Sequence, residues 1–133
     1  MAHTVLIVED QPEMSDTLKA WLETKGFEVK VAGTGKEGLA ITRKEKPDII
    51  ILDVMLPEMD GYSMCRLLKF DTKYRDIPII MYTGQIREQE RMMGQRTGAD
   101  AYLVKPFEPQ TLLDTMNRLL SRKGEEGAAE ENK

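Results

Sequence analysis

The chain has 133 residues, 41% hydrophobic and 32% charged, which suits one globular domain with its own core and leaves little for a second. Its formal net charge of −4 argues against a nucleic-acid surface, which needs a basic patch to neutralise phosphates. The single cysteine, Cys65, excludes an internal disulfide and fits a reducing cytoplasm; no apolar run approaches the roughly 20 residues of a membrane span, and Met1-Ala2-His3-Thr4 lacks the basic region of a signal peptide.

Val5-Leu6-Ile7-Val8 is a short apolar run rich in β-branched residues, the pattern of a strand buried on both faces of a parallel sheet. Residues 12–25 place Leu18, Trp21 and Leu22 on one helix face, with Pro12 in the first turn. Glu28 to Ala32 alternates polar and apolar residues, as an edge strand does. Thr34 and Glu37 have the spacing of a capping box and start a helix over 35–45. Ile49-Ile50-Ile51-Leu52 repeats the buried-strand pattern. Asp60-Gly61 then leads into a helix over 61–70 with Met64, Leu67 and Leu68, where Cys65 reads as a small buried hydrophobe.

The fourth strand is expected from Ile77 to Met81, with Pro78 near its start, where a missing N–H does little harm. Residues 86–97 form the weakest helical pattern: Ile86, Met92 and Met93 stand among charged residues, and Gly94 lowers the propensity further. A solvated surface helix and a mobile partner-binding helix suit this stretch equally. Ala101 to Val104 is the fifth strand, and 108–121 has a clear amphipathic stripe of Leu112, Leu113, Met116, Leu119 and Leu120. From Gly124 to Lys133 the chain is acidic and small-residue, with nothing to bury; residues 122–133 read as a disordered tail or the start of a linker after a domain over 1–121. Strand and helix alternate five times, which predicts an α/β fold of three layers with five helices packed on both faces of a parallel sheet.

In such a sheet, ligands bind beyond the carboxyl ends of the strands. The first strand ends in Glu9-Asp10, the third in Asp53, the fourth runs into Tyr82-Thr83-Gly84 and the fifth into Lys105-Pro106. A lone Asp at a strand end is usually a turn former. Here three carboxylates, a hydroxyl and an amine share one edge of the sheet. Two carboxylates about 4 Å apart repel by roughly 4 kcal/mol at an effective dielectric near 20, so the cluster must share protons or take up a cation. All-oxygen ligands favour a hard ion, Mg²⁺ or Mn²⁺; with one histidine, His3, and one cysteine, no zinc constellation is available. A metal beside a free carboxylate, a hydroxyl and a lysine suits phosphoryl transfer, with the carboxylate itself as acceptor.

Val5-Leu6-Ile7-Val8-Glu9-Asp10, the run from Ile51 to Gly61, Tyr82-Thr83-Gly84 and the run from Gly98 to Phe107 together resemble response-regulator receiver domains of two-component signalling. The resemblance extends from residue 4 to about 121. It implies the flavodoxin-like strand order 2-1-3-4-5 and a phosphorylation-dependent switch, not an enzyme beyond its own phosphorylation and dephosphorylation. Asp53 is implied as phosphoacceptor, with Mg²⁺ held by Asp10, Asp53, the Met55 backbone carbonyl and, through water, Glu9. Thr83 and the Gly84 N–H are implied to bond the phosphoryl oxygens and Lys105 to pair with them, with the Lys105–Pro106 peptide cis. The donor is implied to be a phosphohistidine on a sensor histidine kinase or phosphotransfer protein. Thr83 and Tyr102 are the implied switch pair, altering an output surface of segments 86–97, 101–104 and 108–121 that a downstream effector reads. An ordinary half-buried aromatic is the plainer reading of Tyr102.

Partner choice in the family is read partly from the exposed face of the first helix, here Met14, Ser15 and Leu18, although Met14 suits the edge of the core equally. Tyr82 stands where the family often has an aliphatic residue, and either narrows the space beside Thr83 or extends the core. Met55 and Gln85 occupy positions at which the family tunes phosphoryl lifetime. An Asp-nucleophile phosphatase would want a second acid at residue 55, where Met55 stands. A flavodoxin-type flavin site would clash with Glu9-Asp10-Gln11-Pro12-Glu13. A degenerate receiver used only for protein binding would not need Glu9, Asp10, Asp53, Thr83 and Lys105 together.

Overall fold

The apolar runs form the middle of the sheet. β1 (Thr4–Val8), β3 (Ile49–Asp53) and β4 (Ile79–Thr83) are buried almost throughout, flanked by β2 (Glu28–Ala32) and β5 (Ala101–Val104) at the edges. Each fully buried Ile or Leu contributes about 2 kcal/mol, so strands without a polar face are stable only inside a sandwich. All pairings are parallel and the order is β2-β1-β3-β4-β5, as the resemblance implies. The structure, a computed structural model, describes residues 3–84 and 98–131, with side chains as far as Arg122.

Four helices lie among the described residues: α1 (Pro12–Thr24), α2 (Gly35–Glu45), α3 (Gly61–Lys69) and α4 (Pro109–Glu131). The fifth expected helix, over 86–97, lies outside them. Two cores form, one on each face of the sheet. Leu39, Met64, Cys65 and Leu68 from α2 and α3 pack on Leu6, Ile50, Leu52 and Met81. Leu18 and Leu22 of α1 and Leu112, Met116 and Leu119 of α4 pack on Val5, Ile7, Ile51 and Ile80.

Local chemistry sets the ends of these elements. Thr34 Oγ1 accepts from Glu37 N at 3.1 Å, while Glu37 Oε2 accepts from Gly33 N at 3.1 Å, closing the predicted box one residue early. Asp60 caps α3 by accepting from Ser63 N at 2.8 Å. β4 begins at Ile79, two residues later than expected, because Asp100 Oδ2 takes the Ile79 N–H at 2.8 Å and Pro78 offers only a carbonyl, to Ile50 N at 3.0 Å. Of the three apolar residues noted on this helix, Met64 and Leu68 are buried and Leu67 is 52% exposed. α4 continues ten residues past the apolar stripe, to Glu131.

Candidate functional site

The carboxyl edge of the sheet gathers the predicted groups. Glu9 and Asp10 directly follow β1, Asp53 is the last residue of β3, Thr83 the last of β4, and Lys105 the first after β5. Parallel pairing puts these ends at one level, Asp53 opposite Tyr82 and Thr83 opposite Val104. Carboxylate oxygens of Glu9, Asp10 and Asp53 lie within 4.8 Å of one another. Lys105 Nζ donates to Glu9 Oε1 at 3.2 Å.

Backbone contacts fix the two acidic segments. Glu9 N donates to Ala32 O at 3.0 Å, and Gln11 N donates to Glu9 Oε2 at 3.4 Å. Met55 N donates to Asp53 Oδ1 at 3.1 Å, and Val54 N donates to Tyr82 O at 3.0 Å. Gly61 N reaches back to Val54 O at 3.0 Å. A Cβ on Gly61 would overlap the Asp53 carbonyl oxygen, so only glycine lets α3 start this close to the acid. Beside β5, Lys105 N donates to Thr83 O at 2.7 Å, and the Lys105–Pro106 peptide is cis.

Burial and charge compete here. Glu9, Asp53 and Thr83 are buried, while Asp10 is exposed and Lys105 half-buried. Burial, followed by the hydrogen bond with Glu9 and its charge, pushes the Asp53 carboxyl up to about 7. Burial opposes the charge on Glu9 as well, but the hydrogen bond with Asp53 and the Lys105 ammonium outweigh it and hold Glu9 below the usual carboxylate range. Asp10 is raised by partial desolvation and then by Glu9. The donor set fits a hard divalent ion: three carboxylates within reach of one another, two of them buried, with one lysine between them and neutrality.

Tyr102 is half-buried and packs against the core on the α2–α3 side, level with Met81 in the register. Gln85 lies outside the described residues. On α1, Ser15 is 3% exposed and its hydroxyl turns back to the Pro12 carbonyl at 3.2 Å, so it does not belong to an exposed recognition face. Leu18 is buried too, whereas Met14 is half-buried. The apolar side of α1 instead borders an open groove of about 500 Å³ beside the acids, lined by Met14, Leu18, Gly84, Lys105, Pro106 and Phe107. The strand-end pattern does not single out Gly61, whose only sequence signal is its place after a capping aspartate.

Comparison with known proteins agrees with this architecture. The family model described as response regulator receiver domain matches residues 5–117. PilH of Pseudomonas aeruginosa is 38% identical over 117 residues, covering 88% of this chain and 97% of PilH. The DNA-binding dual master transcriptional regulator RpaA of Synechocystis is 39% identical over 118 residues, covering 89% of this chain and 49% of RpaA. The chain thus spans nearly all of PilH but about half the length of RpaA. A CheY-like response regulator receiver domain protein from Methanospirillum hungatei superposes with a TM-score of 0.86 at 31% identity, covering 95% of this chain and 99% of that one. The chemotaxis response regulator CheY4 of Vibrio cholerae gives a TM-score of 0.81 at 34% identity, covering 90% and 99%. With sheet order, strand-end chemistry and relatives in agreement, the chain belongs to the response regulator receiver domain family of two-component systems.

Proposed function

We propose that this receiver is a phosphorylation switch whose acceptor is Asp53. The observation that carries the reading is the meeting of Glu9, Asp10 and Asp53 within 4.8 Å, with Lys105 paired to Glu9. Asp10 and Asp53 would hold Mg²⁺ or Mn²⁺ directly, with Glu9 acting through water and the Met55 carbonyl as a further ligand. The bound ion supplies positive charge that an Asp53 carboxylate and a phosphoryl group can share.

In the transfer, an Asp53 carboxylate oxygen forms a bond to phosphorus as the bond from phosphorus to a histidine nitrogen of the donor breaks. The imidazole leaves and regains its proton from water. Thr83 and the Gly84 N–H bond the new phosphoryl oxygens, and Lys105 leaves Glu9 to pair with them. Positioning does most of the work, because the acids and the lysine are fixed by strand ends before the donor arrives. The donor is a sensor histidine kinase or histidine phosphotransfer protein, docking over the groove bounded by Met14, Leu18 and Phe107. Movement of Thr83 toward the phosphoryl group lets Tyr102 turn inward and biases the output surface read by a downstream effector.

Substituting Asp53→Ala is expected to abolish acid-labile phosphate incorporation from acetyl phosphate with Mg²⁺. Undiminished labelling of that variant would remove the proposal.

A further inference from the structure

Tyr82 is fully buried, yet among the described residues its hydroxyl has no hydrogen-bond partner. Leaving a buried donor unmade is costly, and phenylalanine would fill the same volume without that cost. The surroundings of Tyr82 give the hydroxyl a use. In the sheet register Tyr82 stands beside Asp53. The Lys105 ammonium lies 4.8 Å from its ring centroid, within cation–π range, while the same ammonium donates to Glu9 at 3.2 Å. Phe107 meets the ring edge-on at 6.0 Å and 72°. Burial, then the charges of Glu9 and Asp53, push the phenol's ionisation above its ordinary value, so it stays a neutral donor.

Glu9 is 2% exposed, and Lys105 Nζ is the side-chain donor that reaches it, at 3.2 Å. If Lys105 turns to a phosphoryl group, buried Glu9 gives up its ammonium and keeps only the water-mediated tie to the ion that the phosphorylation reading gives it, a costly exchange. A hydroxyl on the residue paired with Asp53, whose ring lies 4.8 Å from the same ammonium, is placed to lower that cost.

We propose that Tyr82 is a positioning residue for Lys105. Its ring face seats the ammonium while the lysine pairs with Glu9, and its hydroxyl takes over as donor to Glu9 when the lysine swings to a phosphoryl group on Asp53. The second half rests on the phosphorylation reading above; the first half concerns the unphosphorylated protein alone.

The test compares wild type with Tyr82→Phe and Tyr82→Leu, all checked for cooperative unfolding. In NMR spectra of the metal-free, unphosphorylated chain, the Lys105 ε-methylene protons are expected upfield in wild type and Tyr82→Phe, and near their ordinary position in Tyr82→Leu. Unshifted protons in wild type would overturn the role of the ring. With acetyl phosphate and saturating Mg²⁺, phosphorylation of Tyr82→Phe is expected to slow about 10- to 100-fold at unchanged Mg²⁺ affinity, the worth of one hydrogen bond to a charged acid. On a Glu9→Gln background the same change is expected to have no further effect. A wild-type rate in Tyr82→Phe, or an equal defect on the Glu9→Gln background, would overturn the role of the hydroxyl. Wild type that takes up no phosphate at all would instead sink the phosphorylation reading, while the ring-current test would stand.

Discussion

Asp53 is the side chain at which burial and charge conflict most. Its folded-state value near 7 exceeds the ordinary aspartate value of 3.8, so the folded chain binds the extra proton between the two. Folded stability from this group is therefore greatest below the ordinary value and is lost as pH rises through about 7. Without divalent ions, the melting temperature of wild type is expected to fall between about pH 5.5 and 8, and that of Asp53→Asn to fall less. Parallel melting curves over that range would contradict the shift. Adding Mg²⁺ is expected to raise the wild-type curve most at the alkaline end, where proton competition has ended. Glu9, Asp10, Asp53, Thr83 and Lys105 were legible in the sequence because each follows a strand-like apolar run, and parallel strands end at one level. Gly61 was not legible in the same way, because its role depends on how closely α3 approaches the Asp53 backbone, a distance no spacing encodes. Ser15 was misplaced because one turn of a short amphipathic helix separates exposed from buried positions.

The elements are tied together away from the site by a second set of polar contacts. Asp100, just before β5, accepts from Ile79 N at 2.8 Å, pairs with Lys69 at 2.7 Å and with Arg122 of α4 at 3.2 Å. Lys69 also donates to the carbonyls of Arg75 and Ile77, at 3.0 and 2.8 Å. One acid and one lysine thus lock the end of α3, the start of β4 and the start of β5. Replacing Asp100→Ala strands the Ile79 N–H and leaves the largely buried Lys69 ammonium with two carbonyls but no counter-charge, and is expected to cost about 1–3 kcal/mol in urea unfolding. A change within about 0.3 kcal/mol would show the knot to be ornamental. The strands were legible because both-face burial leaves a continuous apolar run, and the helices because of their stripes. The start of β4 was misread because the acid that defines it lies 21 residues downstream.

Two apolar layers clamp the sheet, and Leu119 and Leu120 are the last residues of α4 in the α1-side core among the described side chains. We propose that the receiver unit closes at residue 121, with Arg122 the last described side chain to reach back, and that 122–133 serves as a tail or linker. Truncation after residue 123 is therefore expected to leave the urea-unfolding free energy unchanged within about 0.5 kcal/mol. A larger loss would place the helical extension in the folded unit. Lys105 hangs from β5, an edge strand whose residues are all half-buried, whereas the acids grow from strands paired on both sides. On the proposed reading, fraying of that border would carry off the Lys105 ammonium and leave the carboxylates in place, opening a brief interval in which a divalent cation could still be gripped but the exchange could not be completed.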